Sequence, residues 1–206
     1  MNDASKRAAS YTFTIEYGLP ESGGASEQAD AEPQSIGETD MGVKNFLVEG
    51  VSGSGKTSVC DELQRRGYHA IHGDRELAYQ GDPQTGAPLD GFAHEHHIWA
   101  VDKVRALVAD QSHAASFFCG GSRNFDRFID LFDGVFVLEV DLDTLNRRLA
   151  LRPAGEWGGR SSEREFVARL HATREDVPKN AIAIDATAPV SRVVDAIVGS
   201  ALRGAR

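Results

Sequence analysis

The feature that most constrains this chain of 206 residues is a short glycine-rich stretch, Gly50–Thr57, with the sequence GVSGSGKT. It follows a short apolar segment and precedes a segment with helical periodicity. The glycines allow a tight turn in which successive backbone amides point inward, and the following helix aims its positive end at the same centre. This order of strand, loop and helix predicts a site for the phosphates of a nucleotide.

The stretch fits G-x-x-x-x-G-K-[ST], the P-loop pattern, and its polar side chains have predicted roles. Lys56 reaches the β- and γ-phosphates as a point charge, and the Thr57 hydroxyl is placed to bind Mg²⁺. ATP and Mg²⁺ are therefore the predicted cofactors. The other residues expected to contact the nucleotide here are Gly50, Ser52, Gly53, Ser54, Gly55 and Ser58.

From Val43 onward, predicted strands alternate with predicted helices. Segment 135–140 (VFVLEV) is apolar almost throughout, as expected of a strand buried on both faces. The alternation predicts an α/β fold, a five-stranded parallel sheet with helices on both faces. Strands are expected at 45–49, 68–72, 114–119, 135–140 and 181–184, and helices at 57–66, 93–110, 125–132, 142–151, 162–173 and 190–202.

Charge and composition exclude several classes of partner. The chain has 22 Lys and Arg against 31 Asp and Glu, a net charge of -9, which opposes binding to a nucleic-acid polymer. No apolar stretch approaches the roughly 18 residues of a membrane helix, and the N-terminus lacks an apolar signal region. We expect a cytoplasmic protein, monomer or homodimer, with Cys60 and Cys119 as free buried thiols and no membrane partner.

Residues 1–40 differ from the rest of the chain. They hold two basic and eight acidic residues, so they carry six of the nine net negative charges. Few apolar side chains are present to offset the entropy of ordering, which predicts a mostly disordered acidic tail before a domain at 41–206. Met41 is an alternative start of the chain.

The P-loop near the start of this domain resembles that of the small P-loop kinases, which include the nucleoside monophosphate kinases, shikimate kinase and gluconate kinase. The resemblance covers the chain from Val43 to its end. It implies a P-loop NTPase fold with a small lid at about 152–161. It also implies transfer of the γ-phosphate of ATP to a hydroxyl or phosphate of a small-molecule acceptor.

Two further segments carry the resemblance on the acceptor side. His72–Leu77 (HGDREL) is similar to the D-x-D-R-E segment of shikimate kinase and the D-G-D segment of gluconate kinase, which implies that Asp74 meets the acceptor hydroxyl. Asp74 is also our candidate, with Thr57, to help hold Mg²⁺. Gly120–Arg123 is similar to the G-x-x-R of nucleotide kinases, which implies that Arg123 grips an acidic group of the acceptor. His72 and Cys119 stand where the family has acidic residues of the Mg²⁺ shell. The alternatives are a turn cap for Asp74 and a surface ion pair for Arg123.

Arginines later in the chain complete the resemblance. Arg148 and Arg152 fit R-L-x-x-R, and a spacing of four residues places both on one helix face. The family implies that Arg148 stacks on adenine, that Arg152 meets the phosphates, and that lid closure delivers Arg160. Residues 185–189, including Ala188, are similar to the adenine-contacting loop. A solvated charged face is the alternative for each arginine.

The cluster His94–His97 is the last candidate. His94 and His97 are expected on one face of the predicted helix at 93–110, either lining an acceptor pocket or lying on the surface. Three functions remain open: a metabolite kinase of the shikimate or gluconate type, a nucleoside or nucleotide kinase, and a nucleotide-binding NTPase or regulator without a small-molecule acceptor. The identity of the acceptor is not fixed by the sequence.

Overall fold

The computed structural model describes residues 43–203, in which strands and helices alternate as predicted. The predicted tail at 1–40 lies outside these residues. The strands are β1 (Lys44–Glu49), β2 (His69–His72), β3 (Ala78–Gln80), β4 (His97–Trp99), β5 (Ala115–Cys119), β6 (Gly134–Glu139) and β7 (Ile182–Asp185). The helices are α1 (Lys56–Arg65), α2 (Gly73–Glu76), α3 (Val101–Val108), α4 (Leu142–Ala150), α5 (Ser161–Thr173) and α6 (Val190–Arg203).

The predicted five-stranded parallel sheet is confirmed, with the strand order β2-β5-β1-β6-β7. β1 is central, because Val48 lies opposite both Cys119 of β5 and Phe136 of β6. All five strands run in one direction, so their carboxyl ends share one edge of the sheet. In open α/β sheets this is the edge at which ligands bind.

Apolar side chains cover both faces of the sheet. One core packs α1 and α6 against the sheet through residues such as Leu63 and Ile197, both fully buried. The other core lies beneath α3 and contains Trp99 and Phe118, also fully buried. A sheet buried on both sides explains why residues 135–140 are apolar almost throughout.

The predicted helix at 93–110 is wrong in its first half. Residues His94–His96 form a turn of 3₁₀ helix, His97–Trp99 form β4, and the α-helix begins only at Val101. β4 pairs with β3 in an antiparallel hairpin that buries Ile98 and Trp99 completely. The apolar residues of β4 continue the helical pattern of α3, so periodicity alone could not separate the two elements.

The predicted helix at 125–132 is also wrong. The structure has two short 3₁₀ turns there, Phe125–Arg127 and Ile129–Leu131, separated by Phe128. The Phe128 ring is buried and stacks on Trp99 with 5.5 Å between ring centroids, which favours the break in the helix. Within 43–203, no helix has both the length and the apolar character needed to cross a membrane.

Candidate active site

The P-loop connects the carboxyl end of β1 to the start of α1. Gly53 and Gly55 have φ angles of 92° and 112°, in the left-handed region that glycine adopts without strain. The first hydrogen bond of α1 runs from the amide of Val59 to the carbonyl of Gly55, at 3.0 Å. The amides of residues 56–58 therefore lie at the open N-terminal end of α1, where helices bind anions.

Lys56 is folded over its own loop. Its Nζ donates hydrogen bonds to the carbonyl oxygens of Gly50 and Val51, the latter at 3.2 Å. Thr57, the next residue, is exposed. Carbonyl contacts of this kind are exchanged easily for phosphate oxygens, which bind an ammonium more strongly because they are charged.

A buried carboxylate that the sequence analysis did not single out lies at the base of the P-loop. Glu49 ends β1 with 1% of its surface exposed, and it accepts hydrogen bonds from the amides of Gly50 at 3.1 Å and Ser122 at 3.0 Å. Burial raises the pKa of Glu49 to about 7, although the charges of Arg123 and Lys56 oppose the rise. The available signal was an acidic residue at the end of an apolar strand, directly before the loop.

Asp74 lies in α2, just after β2 and at the same edge of the sheet. Its Oδ1 accepts a hydrogen bond from the amide of Gly121 at 2.9 Å and lies 3.3 Å from His97 Nε2. Partial burial acts to raise the pKa of Asp74, but the His97 contact, the charge of Lys56 and the Gly121 amide together hold it below its usual value. These hydrogen bonds join Asp74 to distant segments rather than to the turn that follows it.

The loop after β5 is fastened to β4, and this fixes the position of Arg123. The Trp99 amide donates to Ser122 Oγ at 3.2 Å and to Asn124 Oδ1 at 3.0 Å, while Asn124 Nδ2 donates to the Trp99 carbonyl. The Arg123 amide donates to the His97 carbonyl at 2.9 Å. The hairpin that sequence analysis missed is therefore the scaffold for both Arg123 and His97.

The Arg123 side chain forms a buried ion pair rather than a surface one. Its Nη1 lies 3.4 Å from Asp176 Oδ2 and donates to the Asp176 carbonyl at 2.9 Å. The two side chains are 14% and 7% exposed. Asp176 lies between α5 and β7, and no motif in the sequence pointed to it.

Arg148 spans the P-loop and the segment after β7. It donates to the carbonyl of Ser54 at 2.8 Å and to the carbonyl of Ala186 at 2.7 Å. Ala188 lies two residues further on and lines the same cavity. The structure therefore brings Arg148 and the 185–189 loop together, and their roles at adenine stay predictions.

Arg152 and Arg160 differ in position. Arg152 donates to Ser52 Oγ at 2.8 Å and to the Trp157 carbonyl at 2.6 Å, and burial lowers its pKa. Arg160 is exposed at the start of α5, where its amide donates to Glu163 Oε2 at 3.3 Å. Arg160 is the one predicted site residue that does not line the cavity, and its role on lid closure stays a prediction.

A cavity of about 670 Å³ is lined by most of these groups. We divide its lining into two ends, with Asp74 between them, because Asp74 contacts His97 and its charge interacts with that of Lys56. The P-loop end consists of Gly50 and residues 52–58 with Arg148, Arg152 and Ala188. The aromatic end consists of Phe92, His94, His97, Arg123, Glu156, Trp157 and Asp176. This volume lies within the range of about 300–1,000 Å³ that is usual for small-molecule sites.

Ring side chains form the wall of the aromatic end. Trp157 stacks on His94 with 5.5 Å between centroids and an interplanar angle of 16°, and Phe92 lies 5.5 Å from Trp157. Burial, with the nearby charge of Arg123, lowers the pKa of His94 to about 4. His94 and His97 do not share a helix, because one lies in a 3₁₀ turn and the other begins β4, yet both line the cavity.

The residues at the junction fit a magnesium ion that is held mainly by phosphates and water. Thr57 offers a hydroxyl and Asp74 a carboxylate to the same cavity. Among residues 43–203, no group of three or more His, Cys, Asp and Glu could hold a metal through protein ligands alone. Mg²⁺ in phosphoryl-transfer sites needs only one or two such ligands, because substrate phosphates and water supply the rest.

Comparison with known protein families places the chain in one of them. The model of a family described as an AAA domain matches residues 47–168, which include the second half of β1, the P-loop, the hairpin, α4 and most of α5. The chain belongs to the AAA domain family. This AAA domain protein has the P-loop NTPase fold, in which the loop after the central strand binds nucleotide phosphates. No curated protein sequence gave a significant match.

Solved structures similar to this AAA domain protein include several small P-loop kinases. A gluconokinase from Sinorhizobium meliloti 1021 is 20% identical, with 79% of this chain and 93% of that chain covered and a TM-score of 0.49. A sugar kinase from Janibacter sp. HTCC2649 is 19% identical, with 79% and 96% covered and a TM-score of 0.49. A deoxyadenosine kinase from M. mycoides with bound dATP is 16% identical, with 76% and 98% covered and a TM-score of 0.47. No acceptor is assigned from these similarities.

Proposed function

We propose that this protein is an ATP-dependent phosphotransferase that moves the γ-phosphate of ATP to a hydroxyl of a small molecule. The observation that carries the proposal is the junction of the cavity. The P-loop lysine and the ionised carboxylate of Asp74 line the same cavity, which extends beyond them into an end with its own polar groups. An enzyme that only hydrolysed ATP would need room for a water molecule there, not a second lined pocket.

The P-loop end supplies binding and charge. The amides at the start of α1 and the Lys56 ammonium are placed to hold the β- and γ-phosphates, and Arg152 lies against Ser52 of the same loop. Arg148, which joins the loop to Ala186, lies where the base and sugar of the nucleotide would extend. Such positioning and charge stabilisation account for most of the catalysis in phosphoryl transfer.

Mg²⁺, when bound, would neutralise charge on the β- and γ-phosphates, and Thr57 and Asp74 are the residues proposed to hold it. Glu49 ends β1, the strand next to β5, and places a carboxyl group behind the P-loop rather than in the cavity lining. Its carboxyl group lies close enough to Lys56 for their charges to interact. We therefore add Glu49 to the groups that set the charge at the junction.

Asp74 is the proposed acceptor of the substrate proton. In the transfer, the acceptor oxygen forms a bond to the γ-phosphorus while the bond from that phosphorus to the β-γ bridging oxygen breaks. The hydroxyl proton passes to the Asp74 carboxylate, and ADP leaves with the electron pair of the broken bond. The contacts with His97 and Gly121 favour the ionised form that this role requires.

The proposal is tested by measuring ADP formation from Mg-ATP with and without separate pools of neutral sugars, sugar acids, nucleosides and nucleotides. Stimulation by one pool, together with a phosphorylated product in the mass spectrum, supports a kinase and separates the metabolite kinases from the nucleoside or nucleotide kinases. A slow rate that no pool changes contradicts the proposal and favours a nucleotide-binding NTPase or regulator. Calorimetric titration with a non-hydrolysable ATP analogue reports whether nucleotide binding itself is intact.

A further inference from the structure

Arg123, the arginine of the aromatic end, is already paired within the protein. Its partner Asp176 is 7% exposed and 3.4 Å away. Arg152 donates to the Trp157 carbonyl at this end, but its other contact is Ser52 of the P-loop. Asp74 and the exposed Glu156 line the same cavity and add negative charge. An incoming phosphate or carboxylate would therefore meet these carboxylates and a guanidinium that is already compensated, and Coulomb repulsion opposes it, most strongly beside the buried Asp176.

The imidazole of His94 does not supply the missing positive charge. Burial lowers the pKa of His94 to about 4, so this ring is neutral near pH 7. His97 Nε2 lies 3.3 Å from Asp74 Oδ1, so any charge on this ring is already paired with that carboxylate. The strongly basic groups Lys56, Arg148 and Arg152 belong to the P-loop end, where the phosphates of ATP would occupy them.

Four buried polar atoms at the aromatic end lack a hydrogen-bond partner within the part of the chain that the structure describes. They are Arg123 Nε, Trp157 Nε1, His94 Nε2 and Asp176 Oδ1. Buried polar groups are almost always satisfied, by protein, water or ligand. Two of the four are N–H donors, Asp176 Oδ1 is an acceptor, and the role of His94 Nε2 depends on its tautomer. A group that only accepts hydrogen bonds, such as a carboxylate or phosphate, cannot satisfy the whole set.

We infer that the acceptor is an uncharged ring compound with several hydroxyl or amide groups, and not a phosphate- or carboxylate-bearing molecule. Hydroxyls both donate and accept, so they match the mixed set of unpartnered atoms. Trp157 and His94 stack on each other, and with Phe92 they give the cavity an aromatic side against which a ring can pack. This inference rests on the proposed kinase function, and it reverses the expectation from the sequence that Arg123 grips an acidic group.

Neutral ring sugars and nucleosides share this chemistry, so the experiment uses matched pairs from both sources. The full-length protein is assayed for ADP formation with a hexose against its aldonic acid, and with nucleosides against their monophosphates. We expect the neutral member of one pair to raise the rate at least tenfold above the rate without acceptor, and its anionic partner to raise it less than twofold. Which pair responds separates a sugar from a nucleoside.

Three outcomes are informative in different ways. Stimulation by an anionic member alone overturns the inference and leaves the kinase proposal standing. Steady ATP hydrolysis that no member of either pair changes contradicts both. Stimulation by a neutral member, with a phosphorylated product of the expected mass, supports both.

Asp176→Asn tests whether the charge of Asp176 causes the preference for a neutral acceptor. Removing this charge leaves Arg123 uncompensated, so the preference for the neutral over the anionic member, as a ratio of kcat/KM, should fall at least tenfold. Glu175→Gln, an exposed neighbour, is the matched control and should leave that ratio unchanged. An Asp176→Asn protein that folds, binds the ATP analogue and keeps the original ratio contradicts the inference.

A second variant covers the case in which Asp176→Asn does not fold. Trp157→Phe keeps an aromatic ring in the wall and removes the unpartnered N–H together with part of the indole ring. The KM for the neutral acceptor should rise about fivefold while the KM for ATP stays constant, because the loss is confined to the aromatic end. An unchanged KM for the acceptor shows that this N–H does not meet it and counts against the inference.

Discussion

The two ends of the cavity are built differently. The P-loop end comes mainly from one continuous run of residues, 50–58, and presents positive groups and backbone amides. The aromatic end is assembled from segments far apart in the chain, around 92–97, 123, 156–157 and 176, and its Arg123 is paired with the buried Asp176. The P-loop end is thus encoded by neighbouring residues and is positively charged. The aromatic end forms only when the chain folds, and the charge of its Arg123 is compensated by Asp176.

This difference separates the residues that bind ATP from the residues that select the acceptor. Phosphates can be held by main-chain amides, a helix N-terminus and one lysine, so eight consecutive residues are enough to specify that site. An acceptor must be recognised by side chains whose positions depend on the hairpin, on the loop after β5 and on the segment before β7. Substitutions at the two ends should therefore affect ATP and acceptor separately.

Lys56→Met is expected to have the largest effect. It removes the charge that faces the transferred phosphoryl group, so kcat should fall about 1,000-fold, as when a donor to developing charge is removed from other enzymes. The assay is single-turnover transfer from labelled ATP. The cavity shape is retained, because Met has nearly the length of Lys.

Lys103→Met is the matched control, since Lys103 is exposed on α3 and lies outside the cavity lining. It should change kcat less than twofold. Circular dichroism melts of both proteins check the fold. Substantial activity in a folded Lys56→Met protein would place the phosphates elsewhere and remove the basis of the comparison between the two ends.

Asp74→Asn tests the junction where the two ends meet. The amide can keep the hydrogen bond from Gly121 but cannot take the proton of the acceptor, so kcat with acceptor should fall about 100-fold. Binding of the ATP analogue in the absence of Mg²⁺, measured by calorimetry, should change little. Asp61→Asn is the control, because Asp61 is exposed on α1 and contacts His72 rather than the cavity. Equal loss in both variants would show that charge in general, not this carboxylate, is responsible.

Glu49→Gln tests the buried carboxyl group behind the P-loop through the pH dependence of the free energy of unfolding. The folded state holds the carboxyl proton up to a pKa of about 7, while the unfolded chain releases it near the ordinary value of 4.5. The native state therefore binds more protons than the unfolded state between these values, and stability falls as pH rises through that window. The free energy of unfolding of the unsubstituted protein should fall by up to about 3 kcal/mol relative to Glu49→Gln between about pH 5 and pH 8.

Urea titrations at constant ionic strength, without nucleotide, measure this difference. Glu62→Gln is the control, because hydrogen bonds from Arg65 and Arg66 lower the pKa of Glu62 to about 2 and it stays ionised across the same window. The difference between the unsubstituted protein and Glu62→Gln should be flat from about pH 6 to pH 8. A flat curve for Glu49 as well would mean that its carboxyl is ionised throughout.

The sequence was sufficient for the local parts of the fold and site. The parallel sheet was predicted because each strand is a short apolar run between helical patterns, and the P-loop because its residues are consecutive. The hairpin was missed because Ile98 and Trp99 continue the apolar spacing of α3, so a strand and a helix read as one helix. Asp176 had no signal at all, since only the folded chain brings it to Arg123.

Arg152 and Arg160 give the smallest expected effects and compare a residue inside the cavity with one outside it. Arg152→Ala removes contacts with Ser52 and the Trp157 carbonyl beside the phosphates, so kcat/KM for ATP should fall about tenfold, the amount expected for one hydrogen bond from a charged group. In Arg160→Ala, kcat/KM for ATP should fall less than threefold if the Arg160 side chain stays at the exposed start of α5. A larger loss for Arg160→Ala, confined to kcat, would mean that the segment between α4 and α5 closes over the nucleotide and carries this arginine inward, as the sequence resemblance implies. The ratio of the two losses therefore decides whether the cavity described here is already the one in which transfer takes place.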